Sequence, residues 1–334
     1  MKALFDHPHP FLLAHGGFQT QIEQTKIGLE QNGVAVEFLR WWDAEQSGDL
    51  IHYFGTPPEN YLHFTKLRKM PLVMTNLFTA TCNRTDAALT VQGILTQAFL
   101  RTPILRKVAK REWRALTKAD HHVVGLQAER DVLEKVYAVT CEKISCLPLG
   151  LPQSFLQAGP GTRAMSYLIC TGTITARKRS LELAQMARRT KMPILFVGKP
   201  YSENEPYWRD FRALVDGEFV LHQPHVASEV EMIALLQSAR GFVLMSLYEN
   251  WCLSAHEAIA CGLPILVPDQ KWSRERFAGE AHYFRGTRAQ DEAVLREFYD
   301  RCPSLPAPAV RLHSWNEVGA QLREIYARVL CTSR

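Results

Sequence analysis

The chain has 334 residues, 46 % hydrophobic and 22 % charged, with a net charge of +5. That length has room for two domains, and the composition is that of a globular protein rather than a disordered or fibrous one. The mild positive charge favours anionic ligands but falls short of a nucleic-acid footprint, no apolar run is long enough to span a bilayer, and no secretory signal is read, so a cytoplasmic protein is expected. The eight cysteines show neither a Cys-x-x-Cys pair nor Cys/His zinc spacing. Reduced, mostly buried thiols and no metal site are expected.

Residues 1–5 read as a first strand, followed by His15-Gly-Gly17 and a helix from Gln19 to Asn32-Gly33. Residues 34–39, 49–54 and 70–75 read as further strands. This is a βαβ start whose Gly16 and Gly17 let backbone approach a ligand. Residues 101–118 read as a basic amphipathic helix. Ile104, Val108, Trp113 and Leu116 lie on one side, with Arg106, Lys107, Lys110, Arg111 and Arg114 over much of the rest. Such a helix either covers the sheet with a solvated face or makes weak peripheral contact with an anionic membrane. Strand 120–124, helix 127–137 and strand 143–147 close the first half. Pro148-Leu-Gly-Leu-Pro152 then breaks the pattern, and the stretch to Gly161 reads as a linker.

The second half repeats the alternation. Strand 166–170 leads through Thr171-Gly-Thr-Ile-Thr-Ala-Arg-Lys-Arg179 to helix 181–189. Strands follow at 193–198 and 219–221, then helix 228–239 and the buried strand 241–245. Ser246 to Gly262 reads as loop and then helix from about Cys252, stopped by Gly262 at the C′ position. Another strand starts at Pro264. After Pro268 the signal fades to an apolar piece at 281–284 and a helix near 289–300. The last helix begins after Ser314, with Trp315, Val318, Leu322, Ile325 and Val329 as its apolar stripe.

Glu249 in the loop and Glu257 one turn into the helix carry the chemistry. Amides of Asn250, Trp251, Cys252 and Leu253 at the helix start suit a phosphate. Glu257 suits a vicinal diol such as a ribose, and Glu249 suits sugar hydroxyls or a cationic centre. With the surrounding Ser-x-x-Glu and Glu-Ala-x-Ala-Cys-Gly-x-Pro context, this resembles the E-x7-E signature of retaining nucleotide-sugar glycosyltransferases with the GT-B fold, the group 1 glycosyl transferases. The resemblance implies two Rossmann-like domains facing a central cleft: an acceptor domain over 1–150, a donor domain over 151–312, and a C-terminal helix, 313–334, returning to the first domain.

The resemblance also implies roles. Lys178 falls on the lysine that binds the donor diphosphate, after Gly172. The arginine usual five residues earlier is Thr173 here, so Arg177 or Arg179 stands in. Gly17 and Gly198 give close approach to the donor, and the base is held largely by main chain. Trp251 and Cys252 replace the usual Phe and Gly, and a cysteine there implies a reshaped loop. Gly16, Gln19, His52 and Asn76 are acceptor-side candidates. Asn76 stands where the family often has a histidine. His52 is read as structural at least as readily as catalytic. The expected activity is transfer of a sugar from a nucleoside-diphosphate sugar, UDP favoured, to a saccharide or lipid-linked hydroxyl with retention, and without metal or cofactor. Alternatives are a non-catalytic sugar-nucleotide or glycan binder, or a GT-B phosphorylase or epimerase.

Overall fold

The computed structural model describes residues 1–12, 16–76, 78, 80–102 and 111–332. His15 and residues 103–110, the centre of the basic stretch, lie outside the described residues. The chain forms two compact units, Met1–Gly150 with Trp315–Arg334, and Leu151–Ser314.

In unit 1, β1 (Lys2–Asp6), α1 (Gly17–Gln31), β2 (Ala35–Phe38) and β3 (Leu50–Phe54) are followed by α2 (Glu59–Leu67), β4 (Leu72–Thr75) and α3 (Asp86–Arg101). Then come α4 (Arg111–Lys118), β5 (His121–Val124), α5 (Gln127–Tyr137) and β6 (Ile144–Cys146). The six strands form one parallel sheet in the order β2-β1-β3-β4-β5-β6. Strands buried on both faces carry unbroken apolar runs rather than alternation. Leu72-Val-Met-Thr75, buried throughout, is such a run.

Unit 2 begins at Leu151, the second residue of the short strand β7 (Gly150–Leu151). It contains α6 (Gln153–Ala158), β8 (Leu168–Thr171), α7 (Ser180–Thr190), β9 (Ile194–Val197), α8 (Pro206–Arg212) and β10 (Val220–Gln223). These are followed by α9 (Glu229–Ser238), β11 (Gly241–Val243), α10 (Leu253–Ala260), β12 (Ile265–Pro268), α11 (Lys271–Phe277), β13 (His282–Phe284), α12 (Arg288–Arg301) and β14 (His313–Ser314). Its parallel sheet runs β10-β9-β8-β11-β12-β13. That is the doubly wound order in which the winding reverses between the first and fourth strands, here β8 and β11.

The C-terminal helix α13 (Trp315–Thr332) belongs to unit 1. Its stripe Trp315, Val318, Leu322, Ile325 and Val329 is buried, together with Tyr326. Leu322, Ile325, Tyr326 and Val329 share a core cluster with Phe5, Ile22, Leu29 and Phe54. The backbones of α1 and α13 touch at two glycines. A Cβ on Gly28 would lie 2.2 Å from the Trp315 carbonyl oxygen, and one on Gly319 would lie 2.1 Å from that of Gly28. No side chain larger than hydrogen fits either place.

Three readings change. The stretch taken for a linker contains α6, whose Phe155 is buried. Its Gly/Pro/Gln composition hid a single helical turn. Helices α2, α3, α8 and α11 have no counterpart in the sequence reading. In α3, Thr85 caps the start by accepting from the Ala88 amide at 3.3 Å. Gly93 lets α3 close on the Lys135 carbonyl of α5, where a Cβ would approach to 2.1 Å. The helix read over 101–118 is two elements within the described residues, since α3 ends at Arg101 and α4 is seen from Arg111. No helix among the described residues is long and apolar enough to cross a membrane.

Candidate functional site

The reversal of winding in unit 2 splits the loops after β8 and β11 to opposite sides, leaving a crevice beyond their carboxyl ends. Both halves of the expected donor site fall there. The loop after β8 carries Gly172, Thr173, Arg177 and Lys178. The loop after β11 carries Glu249 and runs into α10. A backbone bond from the Leu247 amide to the Arg177 carbonyl, 2.9 Å, ties the two loops together.

Glu249 is the centre of the cluster, its side chain 9 % exposed. Its Oε1 receives the Lys178 ammonium at 2.5 Å and Arg177 Nη1 at 3.1 Å. The same Arg177 nitrogen donates to the Tyr248 carbonyl at 3.1 Å, and the guanidinium lies 5.6 Å from the Tyr248 ring centre. Burial pushes the Glu249 carboxyl up. The Lys178 and Arg177 charges outweigh it and hold the carboxyl below its ordinary value. The group is therefore an anion at neutral pH, neutralised by two cations. Arg179, the other expected stand-in for the missing arginine, turns away with φ +54° at the start of α7 and pairs with Glu182 at 3.6 Å.

The glycines have separate tasks. Gly172 is fixed by its backbone, at φ +142°, since an added Cβ would stand 3.6 Å from the Lys178 Cε, an ordinary contact. Gly198, at φ +155°, is read from sequence as clearance for the donor. Instead, a Cβ there would lie 2.0 Å from the Gly172 carbonyl oxygen. It is the packing of the turn after β9 against the turn after β8 that requires glycine. Thr173 is half-buried in the same turn.

Cys252 holds a backbone conformation that favours glycine. It adopts φ +45°, ψ +51°, the left-handed conformation a glycine would take, and ends buried as the N-cap of α10. A side chain in that region costs about 1–2 kcal/mol. Its thiol is pushed up to about 12, first by burial and then by Glu249, so it stays protonated. From Leu253 the helix begins, and its earliest amides precede the first intrahelical bonds, which run from Ala255 and His256 to the Cys252 carbonyl. Trp251 is buried. Arg276, on α11, lies 5.1 Å from the Trp251 ring centre and donates to the Asn250 carbonyl at 3.4 Å. Nothing in the sequence singles out Arg276, because α11 itself is not legible there.

Glu257 faces no cation at bonding distance among the described residues. Burial first, then the Glu229 charge, pushes its carboxyl up to about 7, against a smaller pull from Lys178. A half-buried acid with an unused acceptor pair can receive hydroxyl donors. No group of three His, Cys, Asp or Glu among the described residues is placed to hold a metal ion.

The acceptor-side candidates separate into two places in unit 1. Gly16 is the N-cap of α1 at φ +127°, and a Cβ on Gly17 would meet nothing within 4 Å. Gln19 donates to Glu23 at 2.9 Å along the same helix. By contrast, His52 is in the core, 1 % exposed. Its Nδ1 meets the Tyr326 hydroxyl at 2.5 Å, its Nε2 meets Thr75 Oγ1 at 2.7 Å, and its ring stacks on Phe54. Burial lowers its pKa to about 3. With both nitrogens taken, His52 is a structural histidine that docks α13. Asn76 is equally buried, bonded through Nδ2 to His122 Nδ1 at 2.8 Å.

Comparison with known proteins places this geometry. Residues 167–284, which contain both loops, match the family model described as Glycosyl transferases group 1. No curated protein matches the chain in sequence. Among solved structures, a sucrose-phosphate synthase from Thermosynechococcus elongatus is similar at TM-score 0.66 and 15 % identity, covering 99 % of this chain and 99 % of that one. Anabaena HepE in complex with UDP and glucose aligns at 0.63 and 12 %, covering 98 % and 99 %. WaaG, a glycosyltransferase involved in lipopolysaccharide biosynthesis, aligns at 0.59 and 16 %, covering 100 % and 98 %. The chain therefore has the GT-B fold, and its match to the Glycosyl transferases group 1 model spans the segment that carries Lys178, Glu249 and Glu257.

Proposed function

We propose that the chain transfers a sugar from a nucleoside-diphosphate sugar to a hydroxyl acceptor with retention of anomeric configuration, UDP being the favoured nucleotide. The observation that carries this reading is Glu249 held between Lys178 and Arg177 at the winding reversal of unit 2. The single carboxylate offsets only one of the two positive charges, so the cluster keeps a net positive charge that suits a diphosphate. A diphosphate brings competing negative charge to the same two groups, and its oxygens accept strong charge-assisted hydrogen bonds from such cations. Glu249 is then released to accept from the hydroxyls of the sugar. The amides of 250 to 253, at the entry to α10, and the Lys178 ammonium receive the charge that develops as the diphosphate leaves. Preorganised donors of this kind each contribute roughly 3 kcal/mol to lowering the barrier. Glu257 accepts from the ribose diol. The similar Anabaena HepE, in complex with UDP and glucose, supports a uridine donor.

The acceptor reading assigns unit 1 through Gly16 and Gln19, with a saccharide or lipid-linked hydroxyl as acceptor, while Gly17 keeps its place toward the donor. Contact of residues 101–118 with an anionic membrane rests on their sequence alone. The test is release of nucleoside diphosphate from UDP-, GDP- and ADP-sugars over a panel of acceptors, with wild type and Glu249→Gln. Turnover should fall by about 10²–10³-fold in the variant. Equal turnover would remove the assignment. Nucleotide binding with no donor consumed by wild type would instead favour the non-catalytic reading.

A further inference from the structure

In unit 1 the loop after β2 presents two adjacent tryptophans to solvent, Trp41 at 78 % and Trp42 at 84 % exposure. A single exposed apolar residue needs no explanation, whereas neighbouring exposed indoles mark an interaction surface. They are not on a slack loop. Arg40 donates to Asp43 Oδ2 through Nε and Nη2, at 2.9 and 2.7 Å, and to Glu37 Oε2 through Nη1 at 2.8 Å. Gln46 Oε1 accepts from the Arg40 amide, and Gln46 Nε2 donates to Glu37 and to the Phe38 carbonyl. Beneath the loop, Phe38 packs edge-on against Phe5, His7 and Phe11. The indoles are thus held on a fixed frame, which lowers the entropy lost on binding.

The position and the charge identify the occupant. β2 is the neighbour of β1, and the winding of this sheet reverses between β1 and β3, so the loop borders the end at which such sheets take ligands. The segment 37–49 carries four acids, Glu37, Asp43, Glu45 and Asp49, against one base, Arg40. That balance disfavours an anionic membrane, and although Glu37, Asp43 and Asp49 are already bonded to Lys2 and Arg40, the exposed Glu45 keeps acceptor oxygens near the flat aromatic faces, the combination suited to a neutral, hydroxyl-rich ring. We propose that Trp41 and Trp42 form a platform on which a pyranose ring of a saccharide acceptor stacks. The proposal rests on the transferase reading for its catalytic meaning, but the binding itself does not.

Wild type, W41A/W42A and W41F/W42F would be titrated with maltotriose, cellotriose, chitotriose and mannotriose by tryptophan fluorescence and saturation-transfer NMR. Each protein would also be tested for a thermal shift with UDP. At least one trisaccharide should bind wild type saturably and W41A/W42A about tenfold more weakly, with W41F/W42F between them and the UDP shift unchanged. The proposal is overturned if none of the four binds wild type, or if the alanine variant binds as wild type does. It is also overturned if the variant instead loses binding to phosphatidylglycerol vesicles or loses self-association in sedimentation. A trisaccharide that needs the tryptophans in a protein showing no UDP shift would leave the platform standing and remove the donor reading.

Discussion

Glu257→Gln separates the cost of an unpaired acid from its use. The carboxyl is raised from 4.5 to about 7 in the fold, so between those values the folded chain holds a proton that the unfolded chain has released. Stability contributed by this group is therefore full below about pH 4.5 and lost as pH rises through 7. At 1.36 kcal/mol per unit the ceiling is about 3 kcal/mol, reduced to about 1–2 because Glu257 is only half-buried. Glutamine matches the protonated acid in shape and carries no charge. The variant should melt with wild type at pH 5. At pH 8 it should melt about 2–8 °C higher, from 2–4 °C per kcal/mol for a unit of this size. The assay is calorimetry without ligand at pH 5, 6, 7 and 8. With UDP at pH 8, the ranking should reverse in binding, the variant giving the smaller ligand-induced shift. A variant equal to wild type at every pH would refute the argument that an uncompensated carboxylate sits at this place. A larger UDP shift in the variant would refute its role toward the ribose.

Lys178→Met keeps the stem beside Gly172 and removes the charge. Turnover should fall about 10²–10³-fold, measured as diphosphate released, while circular dichroism at 25 °C stays that of wild type. Gly28→Ala places a methyl 2.2 Å from the Trp315 carbonyl and should lower stability by about 1–3 kcal/mol. Urea unfolding would show it, and combination with Gly319→Ala should cost less than the sum, because both wedge open one helix contact. Burial lowers His52 and His122 to about 3 and His121 to about 4. The unfolded chain takes up protons near 6.5 and the folded one does not, so stability is full above 6.5 and is lost as pH falls. Each histidine should cost about 2 kcal/mol by pH 5. Hydrogen exchange in β3 and β5 should accelerate between pH 7 and 5 beyond its intrinsic chemistry, and a flat response would contradict the buried, neutral assignment.

The alternation of elements is legible because strands of a two-sided parallel sheet are short apolar runs, and helices such as Gln127–Tyr137 carry a 3.6-residue stripe. The helices that escape reading lack one of these marks. α6 is one turn inside a Gly/Pro-rich stretch, and α3 leaves Val91, Ile94 and Leu95 exposed, so its apolar residues do not mark a single buried face. Within the candidate site, the spacing of Glu249 and Glu257 and the glycine before Lys178 are local patterns and stand in the sequence unaided.

What only the tertiary structure decides are choices between chemically equal neighbours. Arg177 and Arg179 are interchangeable by composition. The left-handed turn at Arg179 sends one to Glu182 and leaves the other to reach Glu249, 72 positions away. Gly198 serves the Gly172 backbone rather than a ligand, and His52 serves Tyr326 of the last helix, 274 positions on. Periodicity and spacing record what each segment needs along its own length. Partners brought together by the winding of a sheet leave no local trace, because the energy of such a pair depends on angstroms set by the loops and not on the order of residues.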